Sequence, residues 1–87
     1  VKPEERVEYV TAFTDFVRAT RQEAGCLDVI IAADPIEAGR INIFELWESK
    51  EQMDAFRAKA EPPEVSIEIE TDEVKKYEIS AVGPPFP

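Results

Sequence analysis

Glu45-Leu46-Trp47-Glu48-Ser49-Lys50-Glu51-Gln52-Met53-Asp54-Ala55-Phe56 carries the chain out of a strand and into a helix, with its single tryptophan at the junction. On the strand side, Arg40 to Trp47 alternates. Ile41, Ile43, Glu45 and Trp47 share one face, and Arg40, Asn42, Phe44 and Leu46 share the other. A carboxylate therefore stands beside an indole. On the helix side, the Ser49 hydroxyl is placed to accept from first-turn backbone N–H groups, and Gln52 is spaced to reach back as in a capping box. The helix that follows, over 50–60, turns Met53, Phe56 and Ala60 to one side and stops before Pro62-Pro63.

Upstream, Pro3 with Glu4 and Glu5 suits a helix start, where a missing N–H is harmless and negative charge meets the positive dipole end. Val7, Val10, Phe13, Val17 and Thr20 recur at helical spacing up to Gly25, which predicts one amphipathic helix of about five turns. Cys26 to Ala33, centred on Val29-Ile30-Ile31, reads as a buried strand. The short turn between Pro35 and Gly39 makes it an antiparallel neighbour of the Trp47 strand, because so few residues cannot make a parallel crossover.

Downstream, Val65, Ile67 and Ile69 alternate with Ser66, Glu68 and Glu70, which predicts an extended edge segment over 65–70. Val74 to Val82 alternates again, with Tyr77 and Ile79 on one face, and is expected to be the last strand before Gly83-Pro84-Pro85. The six acids between Glu61 and Glu73, with no base among them, form a solvated face or a lid. The terminal Phe86 is expected to lie on a partner subunit. The predicted order is helix, strand, strand, helix, strand. This is a split βαβ pattern lacking its first strand, so residues before Val1 or another segment should fill that place.

Composition fits a single domain over 1–87 with a small core, for which burial against a second copy would be a gain. Nineteen acidic and ten basic residues, without histidine, give a net charge of −9, which argues against nucleic acid and anionic membranes as partners. No apolar run approaches the roughly 20 residues of a membrane span, and one cysteine makes no internal disulfide, so the expected setting is cytoplasmic. Metal-ligand clusters and glycine-rich phosphate loops are absent from the sequence, and neither a metal nor another cofactor is expected. Without histidine there is no Ser/His or Cys/His dyad, and Cys26 reads as inert packing.

Three segments together resemble the antibiotic biosynthesis monooxygenase family: Pro3-Glu4, Glu23-Ala24-Gly25-Cys26-Leu27, and Glu45-Leu46-Trp47-Glu48-Ser49. The resemblance implies an α+β, ferredoxin-like βαββαβ fold, with an antiparallel sheet carrying two helices on one face, paired as a dimeric α+β barrel. It also implies a pocket between sheet and helices for a small aromatic, polyketide- or quinol-like substrate, oxidised by O2 without a cofactor. An electron-rich phenolate or enolate can itself reduce dioxygen once the protein binds it, favours its deprotonated form and excludes water.

By that resemblance Trp47 and Glu45 are the candidate catalytic residues, and Ile43, Met53, Phe56 and Tyr77 would line the substrate site. Trp47 offers a stacking plane and an indole N–H, or else simply closes the core. Glu45 suits a general base if desolvated, or else is a hydrogen-bonding carboxylate. Tyr77 would orient a substrate hydroxyl or pack with a wet tip. Arg40 and Asn42, on the opposite face, are assigned to the dimer interface.

The chain also departs from the family pattern. Phe56 stands where members commonly have histidine, and Ile43 and Met53 stand where the polyketide-oxidising members have asparagine and tyrosine. These departures motivate the alternative of a non-catalytic, small-molecule-binding or structural dimer. Haem degradation is disfavoured, since no histidine can hold the iron.

Overall fold

The computed structural model describes residues 1–86. A 3-10 turn at Pro3–Glu5 leads into α1 (Arg6–Ala12) and α2 (Thr14–Thr20), followed by β1 (Cys26–Ala33), β2 (Ile41–Trp47) and α3 (Lys50–Lys59). β1 and β2 form a two-stranded antiparallel sheet, and α2 and α3 both contribute side chains to one face of it. The architecture is α+β and compatible with the ferredoxin-like expectation.

The expected single first helix is pinched at Phe13. The Phe13 N–H is shared between the carbonyls of Tyr9 and Val10, at 3.3 and 3.2 Å, while the Thr14 hydroxyl donates to Val10 O at 3.3 Å. A threonine that bonds back to the preceding turn loosens and bends a helix in this way. The buried face also differs from the predicted one. Thr20 is 2% exposed as its place in the stripe requires, but Val7 is 76% exposed while Tyr9, outside the stripe, is 7% exposed. Phe13 and Thr20 of the predicted stripe do face the sheet, but Tyr9 and Phe16 join them there in place of Val7. The rings at 9 and 16 bury more apolar surface than a valine at 7 would.

The two strands pair as the turn length requires, with Val29 opposite Glu45 and Ile31 opposite Ile43. A bulge falls between Cys26 and Asp28, leaving Leu27 unpaired. The extra residue shifts the alternation, so Cys26 and Val29, three positions apart, both oppose residues of the Trp47 face. Gly25 precedes the strand at φ 85°, a conformation L side chains rarely adopt, and a Cβ there would collide with the Gln52 side chain. Its carbonyl accepts from Glu48 N at 2.7 Å, which ties the start of β1 to the β2–α3 junction.

Ser49 caps α3 by accepting from Gln52 N at 3.2 Å. Gln52 does not close the expected capping box, because its Oε1 instead accepts from the Ser49 hydroxyl at 3.1 Å.

The predicted last strand over 74–82 is absent, and the segment over 65–70 pairs with no neighbour among the described residues. Residues 61–86 carry no regular secondary structure, and among the described residues no backbone–backbone hydrogen bond extends beyond Ala60. The alternation over 65–70 and 74–82 supplies two-faced segments, but a strand exists only through hydrogen bonds to a neighbour, and the acidic run repels itself. Only Ile67 of this region is buried. Phe86 is exposed in the single chain.

The β1–β2 turn is held by a polar network. Asp34 accepts from Ile36 N at 3.0 Å, Glu37 N at 2.8 Å and Asn42 Nδ2 at 2.8 Å. Arg40 donates to Asn42 Oδ1 at 2.7 Å and to Glu37 Oε2 at 3.2 Å. Arg40 and Asn42, expected at a dimer interface, are thus engaged within the turn itself. From across the fold, Arg6 Nη1 donates to the carbonyls of Asp34, Glu37 and Arg40 at 3.1, 2.8 and 3.3 Å.

These donors, the Glu37 N–H first, hold the Asp34 carboxyl at about 2, below its ordinary 3.8. A depressed folded-state pKa stabilises the protein above the unfolded value, and that contribution is lost as pH falls through the folded one. The stability gap between the parent and Asp34→Asn should therefore be widest above about pH 4 and narrow toward pH 2. Denaturant midpoints across that range measure it. A gap unchanged at pH 2 would show that the ionised carboxylate is not its source.

Candidate active site

β2 delivers Trp47, Glu45 and Ile43 to one face by simple alternation, opposite Cys26, Val29 and Ile31 of β1. Within that row the indole Nε1 of Trp47 donates to Glu45 Oε1 at 3.0 Å. The other carboxylate oxygen, Oε2, lies 4.0 Å from Arg57 Nη2 on α3. The pairing expected from residue spacing is thus a direct contact, and a cation stands near it without bonding.

Helical packing sets aromatic rings against this row. Tyr9 stacks on Phe13 with centroids 4.8 Å apart, Phe13 meets Phe16 edge-on at 6.0 Å, and Phe16 approaches Phe56 at 6.1 Å. Phe56 in turn lies 5.1 Å from Trp47, tilted by 34°. The rings run from α1 through α2 and α3 to β2, at separations where offset and edge-to-face contacts are favourable.

Between these elements opens a cleft of about 270 Å3, lined by Phe16, Thr20, Val29, Ile31, Ile43, Glu45, Phe56, Arg57, Ala60 and Pro62. Its walls are apolar and aromatic, with Glu45 and Arg57 as the charged groups and Thr20 as a hydroxyl. The Thr20 hydroxyl is already spent on the Phe16 carbonyl, at 2.7 Å. An apolar cleft with a few convergent polar groups is the usual form of a small-molecule site. A larger groove, of about 420 Å3, lies beside β1 between Val10, Val17, Arg18, Arg21 and Ile30. It has no aromatic ring and no carboxylate in its lining, so it lacks the means to grip and deprotonate an aromatic.

Of the residues singled out from sequence, Ile43, Glu45 and Phe56 line the cleft, and Trp47 stands behind Phe56. Met53 is buried in the core and is not part of the lining. Tyr77, expected on the last strand, is 78% exposed and lies outside the cleft, because that strand does not form. Phe16 and Arg57 were not anticipated. Phe16 lies three and four residues from Phe13 and Thr20, a spacing that could have found it. Arg57 follows Phe56 directly and carries no periodic signal.

Cys26 sits opposite Trp47, partly buried. Burial first, then the carboxylates of Asp28 and Glu45, push its thiol pKa up, which disfavours the nucleophilic thiolate.

A small α+β domain with an aromatic-lined cleft between sheet and helices defines the class. Residues 1–62 match the family model described as Antibiotic biosynthesis monooxygenase, and the chain belongs to that family. No curated protein and no solved structure matches.

Because Phe56 bridges α2 to Trp47, its removal should disturb both packing and the indole. Phe56→Ala is expected to cost about 2–3 kcal/mol, below the range for a fully buried ring since Phe56 is half-buried. Chemical denaturation followed by fluorescence of the single tryptophan measures the loss, with a red-shifted native emission. A loss under about 0.5 kcal/mol, within the range of ordinary surface substitutions, would show that the ring row is not cohesive.

Proposed function

We propose that this protein is a cofactor-independent monooxygenase or quinol oxidase acting with O2 on a small aromatic, anthrone- or hydroxyquinol-like substrate. The observation that carries this reading is the cleft in which Glu45, bonded to the Trp47 indole, faces aromatic walls. Glu45 takes a proton from the substrate's acidic C–H or O–H, giving an enolate or phenolate whose charge the neighbouring donors stabilise. That anion passes an electron to O2, recombination of the two radicals forms a peroxide anion on carbon, and the proton held by Glu45 returns to it to give the hydroperoxide. For an anthrone, loss of water from the hydroperoxide leaves the ketone: one CH2 and one O2 become one C=O and one H2O. Phe56, backed by Trp47, and Phe16 supply the rings against which the substrate packs, with Ile43 on the strand side.

O2 uptake with anthrone in the presence of a chelator should fall roughly hundredfold in Glu45→Gln, the lower end of what a positioned base contributes. Undiminished turnover in that variant would remove the carboxylate from the mechanism. One geometric observation favours a second reading, a binding protein without chemistry: one Glu45 oxygen is occupied by the indole and the other faces a guanidinium. Anthrone binding without any O2 uptake in the parent protein is the result expected of that reading.

The working unit is proposed to be a homodimer. Its support is the family membership and the sheet face away from the helices, where the cross-strand pair Ile30 and Phe44 is 39% and 51% exposed. Sedimentation equilibrium should give twice the chain mass of 9.8 kDa, and Phe44→Asp should reduce it to the single mass. A monomer at all concentrations would reject the dimer.

A further inference from the structure

Three cations lie on α3, and two of them are spent. Lys50 Nζ is 2.6 Å from Asp54, and Lys59 Nζ is 2.9 Å from Glu23. Arg57 is different. Its nearest carboxylate is that of Glu45 at 4.0 Å, beyond hydrogen-bond length, and among the described residues the guanidinium donates no hydrogen bond. Five N–H donors arranged as a planar fork are thus presented at the wall of the cleft.

The surroundings specify what those donors would take. Among the described residues Arg57 is the only cation lining the cleft, next in sequence to Phe56, whose ring forms part of the aromatic wall. A planar aromatic packed on that wall would bring a substituent on its edge to the guanidinium. Arginine binds a carboxylate through two parallel N–H···O bonds, a geometry that a neutral amide of the same shape cannot match. The net charge of −9 opposes anions at long range, so any preference for one has to come from a local, directional contact.

We infer that Arg57 is a specificity-determining residue that selects aromatic acids, substrates carrying an ionised carboxylate on the ring in addition to the oxygen that reacts. The inference rests on the cleft as the aromatic-binding site proposed above and adds the substrate's charge and the residue that reads it. Glu45 keeps its bond to Trp47, and the ligand carboxylate takes the guanidinium edge left unfilled at 4.0 Å. Arg57 stays half-exposed, so the preference is moderate and screened by salt.

The test is calorimetric binding of 2-naphthoate and of its neutral isostere 2-naphthamide, with the parent protein, Arg57→Gln and Arg57→Lys. The parent should bind the acid roughly tenfold tighter than the amide, the scale of one charge-assisted hydrogen bond. Arg57→Gln should bind the two alike, and Arg57→Lys should recover only part of the preference. Equal affinities in the parent, or a preference that survives Arg57→Gln, would overturn the inference while leaving the cleft as an aromatic site. If neither compound binds, the cleft is not an aromatic site and the proposed function falls with the inference. An acid preference in a protein that consumes no O2 leaves the inference standing and rejects only the oxidation.

Discussion

The contact between Phe56 and Trp47 is the constraint on which the remaining structure depends. A two-stranded sheet buries too little apolar surface to persist alone. The rings from Tyr9 to Trp47 draw three helices onto its one face. Phe56 is the link through which α3 joins that row. Because the same ring walls the cleft, the packing that holds α3 in place also shapes the surface a ligand would meet. A histidine at this position would bring a second proton carrier to the site. Phenylalanine leaves Glu45 as the one carboxylate among the described lining residues and adds a second ring to the apolar wall beside Phe16.

Much of this was legible in the residues. The alternation from Arg40 to Trp47 and the short turn after Asp34 determined strand pairing, and Ser49 marked the start of α3. Glu45 and Trp47 were placed together by period two alone, and the sheet makes that a hydrogen bond. The first helix was harder, since the valines at 7, 10 and 17 and the aromatics at 9 and 16 make two competing stripes that share Phe13 and Thr20. Ring area decides between them, and periodicity does not weigh area.

The misses share a cause. The segments 65–70 and 74–82 have the pattern of strands, but pattern describes only which side chains agree with one another. It does not supply the neighbouring backbone that a strand requires, and Tyr77 was assigned to the site on the strength of that absent neighbour. Arg57 was missed for the opposite reason. Its significance lies in an incomplete ion pair with a residue twelve positions earlier, and no local rule registers a bond that is not quite made.

The guanidinium of Arg6 binds α1 to the hairpin turn through three carbonyls at once. Helix and turn are thereby one rigid half, with the inner walls of the cleft mounted on it. The other half, α3, meets this frame through its serine cap, the Glu48–Gly25 backbone bond, the Lys59–Glu23 bridge and the Phe56 ring. The cleft therefore lies between two parts tied by different means, a frame locked through backbone carbonyls and a helix held by its cap, one bridge and one ring.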